Sequence, residues 1–132
     1  MKNFSGGAKR ILVVEDEPAI NAVCRRVLTS EGFEVDIAVN GKVAQDMLEE
    51  KQYDLCLIDI RLPAMTGKEL YQWLKEKHPK VVDGVIFTTE DVMGGDTQIF
   101  LEQADRPFLP KPFTPGELRA VIQEALKEVG NG

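Results

Sequence analysis

Three uninterrupted apolar blocks, Ile11-Leu12-Val13-Val14, Leu55-Cys56-Leu57-Ile58 and Val85-Ile86-Phe87, constrain the fold of this chain more than any other feature. A strand with one wet face alternates apolar and polar residues, so a continuous apolar run of strand length predicts a strand covered on both faces. Stripes at helical spacing separate the blocks. Ile20, Val23, Val27 and Leu28 follow the first, Val43, Ala44, Met47 and Leu48 precede the second, and Leu70, Tyr71, Trp73 and Leu74 follow it. Phe33, Val35, Ile37 and Val39 alternate with Glu34, Asp36 and Ala38, which is strand period. Phe108-Leu109, hemmed by Pro107 and Pro110, fits only a short strand near a sheet edge.

The punctuation agrees with this division. Pro18 suits the first turn of a helix, Gly32 a helix C-terminus, Asn40-Gly41 a turn, and Pro79 ends the third helical stripe. Thr114-Pro115-Gly116-Glu117 has the form of a capping box, followed by the apolar stripe Leu118, Val121, Ile122, Ala125, Leu126 and Val129, with an end expected by Gly130. Ile99, Phe100 and Leu101 after Gly94-Gly95 read as a weaker fourth helix, expected to be the loosest element. Five strands alternating with five helices predict an α/β fold, a doubly wound parallel sheet with helices on both faces.

Composition narrows the function. At 132 residues with 43% hydrophobic content, one domain is expected, and the net charge of −6 disfavours a surface for direct nucleic-acid binding. The apolar runs are too short to span a membrane and residues 1–10 carry no secretory apolar region, so no membrane insertion and a cytoplasmic location are expected. Residues 1–9 and 131–132 are expected to be disordered tails around a domain over 10–130. Cys24 and Cys56 lack CxxC spacing and read as core residues, and His78 reads as a solvated loop residue.

In a doubly wound sheet, ligands gather at the carboxyl ends of the strands. Those ends supply Glu15 and Asp16, then Asp59, then Thr89, and after the last strand Lys111. Three carboxylates in a partly desolvated cleft repel one another unless a cation joins them, and an all-oxygen set without His or Cys suits Mg2+ better than Zn2+. Lys111 and Thr89 add a positive charge and a hydroxyl donor, which a phosphoryl group on an aspartate oxygen requires. Taken singly, each residue has a plainer use: Asp16 or Glu17 beside a helix dipole, Thr89 satisfying loop backbone, Lys111 as a solvated charge. Their succession at consecutive strand ends is what favours chemistry.

The runs Leu12-Val13-Val14-Glu15-Asp16-Glu17-Pro18, Leu57 to Gly67, Phe87-Thr88-Thr89 and Pro110-Lys111-Pro112-Phe113 resemble the response-regulator receiver family of two-component signalling systems, from about residue 10 to the end of the last helix. The resemblance implies a flavodoxin-like strand order 2-1-3-4-5. It further implies Mg2+-dependent phosphoryl transfer from a histidine kinase or phosphotransfer domain to Asp59 in a phosphorelay. Asp16 and Asp59 would bind the metal directly, Glu15 through water, and Arg61 through its backbone carbonyl. Lys111 would pair with the phosphoryl group, Thr89 and Phe108 would act as switch residues, and the peptide before Pro112 would be cis.

By the same resemblance the chain is a signalling domain rather than an enzyme, able to catalyse its own phosphorylation and dephosphorylation. Its output, and a weak homodimer, would use the face of the fourth helix, fifth strand and fifth helix. Glu90 departs from the small residue usual after the switch Thr and is expected to modulate access to Asp59. The absence of an effector, with the Pro107–Phe113 run and the Gly94–Thr97 loop, looks most like an excised receiver of a hybrid histidine kinase. Two rivals fit less well. An aspartyl-phosphate phosphohydrolase needs a second acid where Asp59-Ile60-Arg61 has Arg61, and a flavin-binding module needs a glycine-rich phosphate cradle where Asp16 and Glu17 stand.

Overall fold

The apolar blocks form the three inner strands of one parallel sheet. In the computed structural model, which describes residues 8–91 and 94–131, the strands are β1 (Arg10–Val14), β2 (Glu34–Ala38), β3 (Leu55–Asp59), β4 (Val85–Thr89) and β5 (Phe108–Pro110). They run parallel in the order β2-β1-β3-β4-β5. This is the doubly wound α/β architecture and the strand order that the family resemblance implies. Every residue of β3 and β4 is buried, whereas the edge strands β2 and β5 retain exposed positions. The three-residue β5 lies at the edge, in keeping with Pro107 before it and Pro110 as its last residue.

Among the described residues there are six helices, one more than the sequence predicts: α1 (Pro18–Ser30), α2 (Gly41–Glu50), α3 (Gly67–Lys77), α4 (Pro79–Val82), α5 (Gly95–Ala104) and α6 (Pro115–Asn131). The extra element, α4, is a single turn opened by Pro79, too short to display a helical stripe. The expected fourth and fifth helices are therefore α5 and α6, and α6 continues through Gly130 to Asn131. Among the described residues no helix is long and apolar enough to cross a membrane. The tail expected over residues 1–9 lies outside the described residues apart from Ala8 and Lys9, and Gly132 also lies outside them.

Alternate strand residues divide between two cores. Leu12, Val14, Cys56, Ile58, Val85 and Phe87 pack with Leu48, Leu70, Leu74 and Leu101 from α2, α3 and α5. Ile11, Val13, Leu55, Leu57 and Ile86 pack with Val27, Leu28, Leu118 and Ile122 from α1 and α6. Each large apolar side chain fully buried this way contributes about 1.5–3 kcal/mol. Phe87, Tyr71 and Phe100 meet edge to face with centroids 5.0–5.9 Å apart, securing α3 and α5 to β4. Cys24 and Cys56 belong to cores on opposite sides of the sheet, both as free thiols that burial pushes up to about 12.

Two sequence expectations fail in detail. The apolar alternation of β2 ends at Ile37, and Val39 lies beyond the strand, 52% exposed. His78 is not a solvated loop residue: it joins α3 to α4, its ring lies 5.0 Å from that of Trp73, and its Nε2 is 3.5 Å from Glu49.

Side chains fasten the amino end of the sheet. Asp54 Oδ2 accepts from Arg10 N (2.7 Å), and the Arg106 guanidinium donates to the carbonyls of Val85 (3.0 Å) and Asp83 (2.6 Å). At the first turns of the helices, Asn40 Oδ1 accepts from Val43 N, and the pairs Thr66–Glu69 and Thr114–Glu117 form capping boxes.

Candidate functional site

Parallel strands bring all their carboxyl ends to one edge, and the polar residues found there are the ones the sequence singles out. Glu15 N donates to Ala38 O (3.0 Å), which carries the β1 ladder one residue further and holds Glu15 at the edge. Asn21 Nδ2 donates to Glu15 O (2.9 Å) from the first turn of α1. Asp59 is the last residue of β3, and Thr89 the last of β4. Lys111 follows β5, with its N donating to Thr89 O (2.9 Å). Glu15, Asp59, Thr89 and Lys111 are all buried, while Asp16 is exposed.

One carboxylate oxygen from each of Glu15, Asp16 and Asp59 lies within 4.8 Å of the others. The Lys111 ammonium sits against the group, 2.7 Å from Glu15 Oε1 and 3.1 Å from Asp59 Oδ2. Burial pushes the Glu15 carboxyl above its ordinary range, more than the Lys111 hydrogen bond lowers it. Burial alone would lower Lys111, but hydrogen bonds to Glu15 and Asp59 outweigh it and hold the lysine firmly charged.

The β3–α3 connection is shaped around Asp59. Arg61 N donates to Asp59 Oδ1 (3.0 Å), Ile60 N donates to Thr88 O (3.0 Å), and Gly67 N donates to Ile60 O (2.9 Å). A Cβ at Gly67 would stand 2.5 Å from Asp59 O and 2.7 Å from Ile60 Cα, so only glycine lets α3 begin this close to the strand end. Ala64 takes a left-handed φ of 67° in the same turn.

Around this centre the remaining expected residues take different positions. Thr89 Oγ1 accepts from Asp91 N (3.1 Å), and the Arg61 guanidinium meets Asp91 Oδ2 (3.0 Å) across the mouth. Glu90 lines the same cleft, about 240 Å³, as Asp16, Glu17, Asp59, Arg61 and Lys111. Phe108 lies apart from it on β5, 44% exposed. The Lys111–Pro112 peptide is cis. The residue that sequence reasoning missed is Glu17, whose Oε1 lies 3.1 Å from Lys111 Nζ. Its signal was the third acid of Glu15-Asp16-Glu17, which the helix-dipole explanation absorbed.

Three carboxylates, those of Glu15, Glu17 and Asp59, contact one ammonium, a fourth, that of Asp16, lies beside two of them, and the donors are all hard oxygens. That charge imbalance and donor chemistry fit an oxygen-preferring dication.

The response regulator receiver domain model matches residues 11–123. Over 118 residues the chain is 35% identical to the aerobic respiration control sensor protein ArcB of Escherichia coli, an alignment covering 89% of this chain and 15% of that protein. The chain therefore spans a small part of that relative's length. Among solved structures, a CheY-like receiver domain protein from Methanospirillum hungatei superposes with a TM-score of 0.86 at 31% identity, covering 95% of this chain and 98% of that one. The receiver domain of the sensor histidine kinase PA1611 from Pseudomonas aeruginosa, solved with a magnesium ion coordinated in its active site cleft, gives 0.81 at 29% identity, covering 92% and 99%.

Proposed function

The chain belongs to the response regulator receiver domain family, and from that premise we propose that it is the phosphoacceptor of a two-component phosphorelay, carrying the phosphoryl group on Asp59 with Mg2+ as its metal. The observation that carries this reading is the buried contact of Lys111 Nζ with Asp59 Oδ2 at 3.1 Å, beside the carboxylates of Glu15 and Asp16. A carboxylate oxygen of Asp59 forms a bond to phosphorus as the bond from phosphorus to a phosphohistidine nitrogen breaks. The imidazole leaves with the bonding pair.

Each residue then has a role. Asp16 and Asp59 would bind the metal directly, Glu15 through water, and Arg61 through its carbonyl. When bound, Mg2+ neutralises charge on the transferred group. Lys111 supplies a second positive charge to the phosphoryl oxygens, and Thr89 turns its hydroxyl toward them. That movement lets Phe108 repack, biasing the face of α5, β5 and α6 between two arrangements. This face meets the output partner and forms a weak homodimer. Glu90 lines the route to Asp59 and modulates donor access.

The donor is a histidine kinase or phosphotransfer domain of the cytoplasm. Residues 10–130 form the receiver unit. The domain is a signalling element, not a metabolic enzyme, though it catalyses its own phosphorylation and dephosphorylation. Intact-mass spectrometry after exposure to acetyl phosphate tests the reading. One phosphoryl group is expected with Mg2+, none with EDTA and none in Asp59→Asn. An adduct that survives in Asp59→Asn, or forms equally in EDTA, overturns the assignment.

A further inference from the structure

Lys111 has a carboxylate partner that metal binding does not require. Its Nζ lies 3.1 Å from Glu17 Oε1, the same distance as from Asp59 Oδ2, while Glu15 Oε1 is at 2.7 Å. Glu15 and Asp59 also belong to the group of oxygens that can hold a dication, and Glu17 does not. Metal and ammonium therefore compete for the same two buried carboxylates. Glu17 is placed to resolve the competition. Its N donates to Glu15 Oε2 (3.0 Å), which ties it to the site, and its side chain makes no capping bond to α1 although it occupies the N-cap position. The Glu17 side chain is 49% exposed, against 4% for Lys111.

We infer that Glu17 is the seat to which the Lys111 ammonium withdraws when a dication takes Glu15 and Asp59, an assignment that rests on the phosphoacceptor reading above. An ammonium with so little access to water cannot lose two carboxylate partners without a replacement, because a desolvated, unpaired charge costs several kcal/mol. Glu17 supplies that replacement on the spot. It keeps Lys111 charged and within reach of the group that arrives on Asp59. Glu17 is thus a positioning residue that acts through Lys111 and lowers the cost of metal entry. The plainer alternative is one more negative charge near the metal, and the two differ in a measurable way. A mere charge acts on a dication whether or not Lys111 is present, whereas a seat for Lys111 acts only when the lysine is there.

The test is Mg2+ titration by calorimetry on the parent chain, Glu17→Gln, Lys111→Met and the double variant, with Glu31→Gln at the far end of α1 as the baseline for losing an exposed acid. Glu17→Gln is expected to weaken Mg2+ binding about fivefold with Lys111 present and less than about twofold in the Lys111→Met background, a coupling that isolates the pair. Equal factors in the two backgrounds overturn the inference.

A second measurement keeps the lysine in place. In Mg2+-saturated protein, the 15N-correlated ammonium signal of Lys111 should stay protected from exchange in the parent and be lost in Glu17→Gln. Equal protection in both also overturns the inference. A parent chain that binds no Mg2+ removes the phosphoacceptor reading and this inference together, whereas Mg2+ binding with equal factors removes the inference alone.

Discussion

Replacing Asp59 by Asn should make the metal-free protein more stable, although it removes a group held by two hydrogen bonds. Asp59 Oδ2 lies 3.1 Å from Lys111 Nζ, an attraction of about 5 kcal/mol at an effective dielectric of 20. Against it stand the carboxylates of Glu15 and Asp16, each with an oxygen within 4.8 Å, which repel Asp59 by about 3.5 kcal/mol apiece on the same scale. Asp16 is exposed, so water weakens its share. The desolvation of a buried carboxylate, which an amide largely avoids, acts in the same direction as the repulsion. Asn can still accept from Arg61 N, and Glu15 and Glu17 still hold Lys111.

The balance predicts a gain of about 1–2 kcal/mol in EDTA, which moves a urea midpoint upward by roughly 0.5–1 M. Saturating Mg2+ should erase or reverse the gain, because the parent then has a dication for the crowded carboxylates to share and the variant offers one ligand fewer. Urea denaturation of both proteins in EDTA and in Mg2+ measures this. An Asp59→Asn protein less stable than the parent in EDTA, or shifted equally in both buffers, would refute the claim that charge crowding stores free energy at this site.

Glu90→Ala should accelerate phosphorylation by acetyl phosphate, by up to about tenfold at low salt, with the gain shrinking as ionic strength rises; an unchanged rate would mean that its place on the cleft wall has no influence on donor approach. Tyr53→Phe should cost about 1–2 kcal/mol at pH 7, because the Tyr53 hydroxyl donates to Asp36 Oδ2 at 2.7 Å. That bond is the main reason the Asp36 carboxyl lies below its ordinary range, and a lowered folded-state pKa stabilises above the unfolded value and is lost as pH falls through the folded one. The Tyr53→Phe penalty measured by urea unfolding should therefore fade below about pH 4, and a pH-independent penalty would point to packing instead. Gly67→Ala should destabilise by about 2–3 kcal/mol, since the new methyl meets backbone rather than a movable side chain; calorimetric melting close to that of the parent would show that the β3–α3 turn can shift.

What could be read from the sequence follows physical range. Ile11–Val14, Leu55–Ile58 and Val85–Phe87 announce themselves because a strand covered on both faces needs an unbroken apolar run. Glu15, Asp59, Thr89 and Lys111 follow from the rule that such strands end on one edge, and the structure brings these four together. Glu17 is a different case. Its contact with Lys111 joins residues 94 positions apart, and nothing local distinguishes it from an acid placed beside a helix terminus. Val39 continues the alternation past the end of β2 because alternation carries no mark of where pairing stops, and α4 has no signature because four residues cannot show a period. The Thr66–Glu69 capping box, by contrast, is written locally in the spacing Thr-x-x-Glu.

The Arg106 clamp gives the molecule a mechanical polarity. Arg106 binds the carbonyls of Asp83 and Val85 and Asp54 binds the Arg10 amide, so the amino end of the sheet is riveted to its loops by directional bonds that no charge change at Asp59 addresses. At the opposite end the carboxylates outnumber the ammonium that joins them, and such ion pairs rearrange when one charge changes. A charge added there is expected to move loops and helix ends before it tilts the strands, whose amino ends those bonds pin.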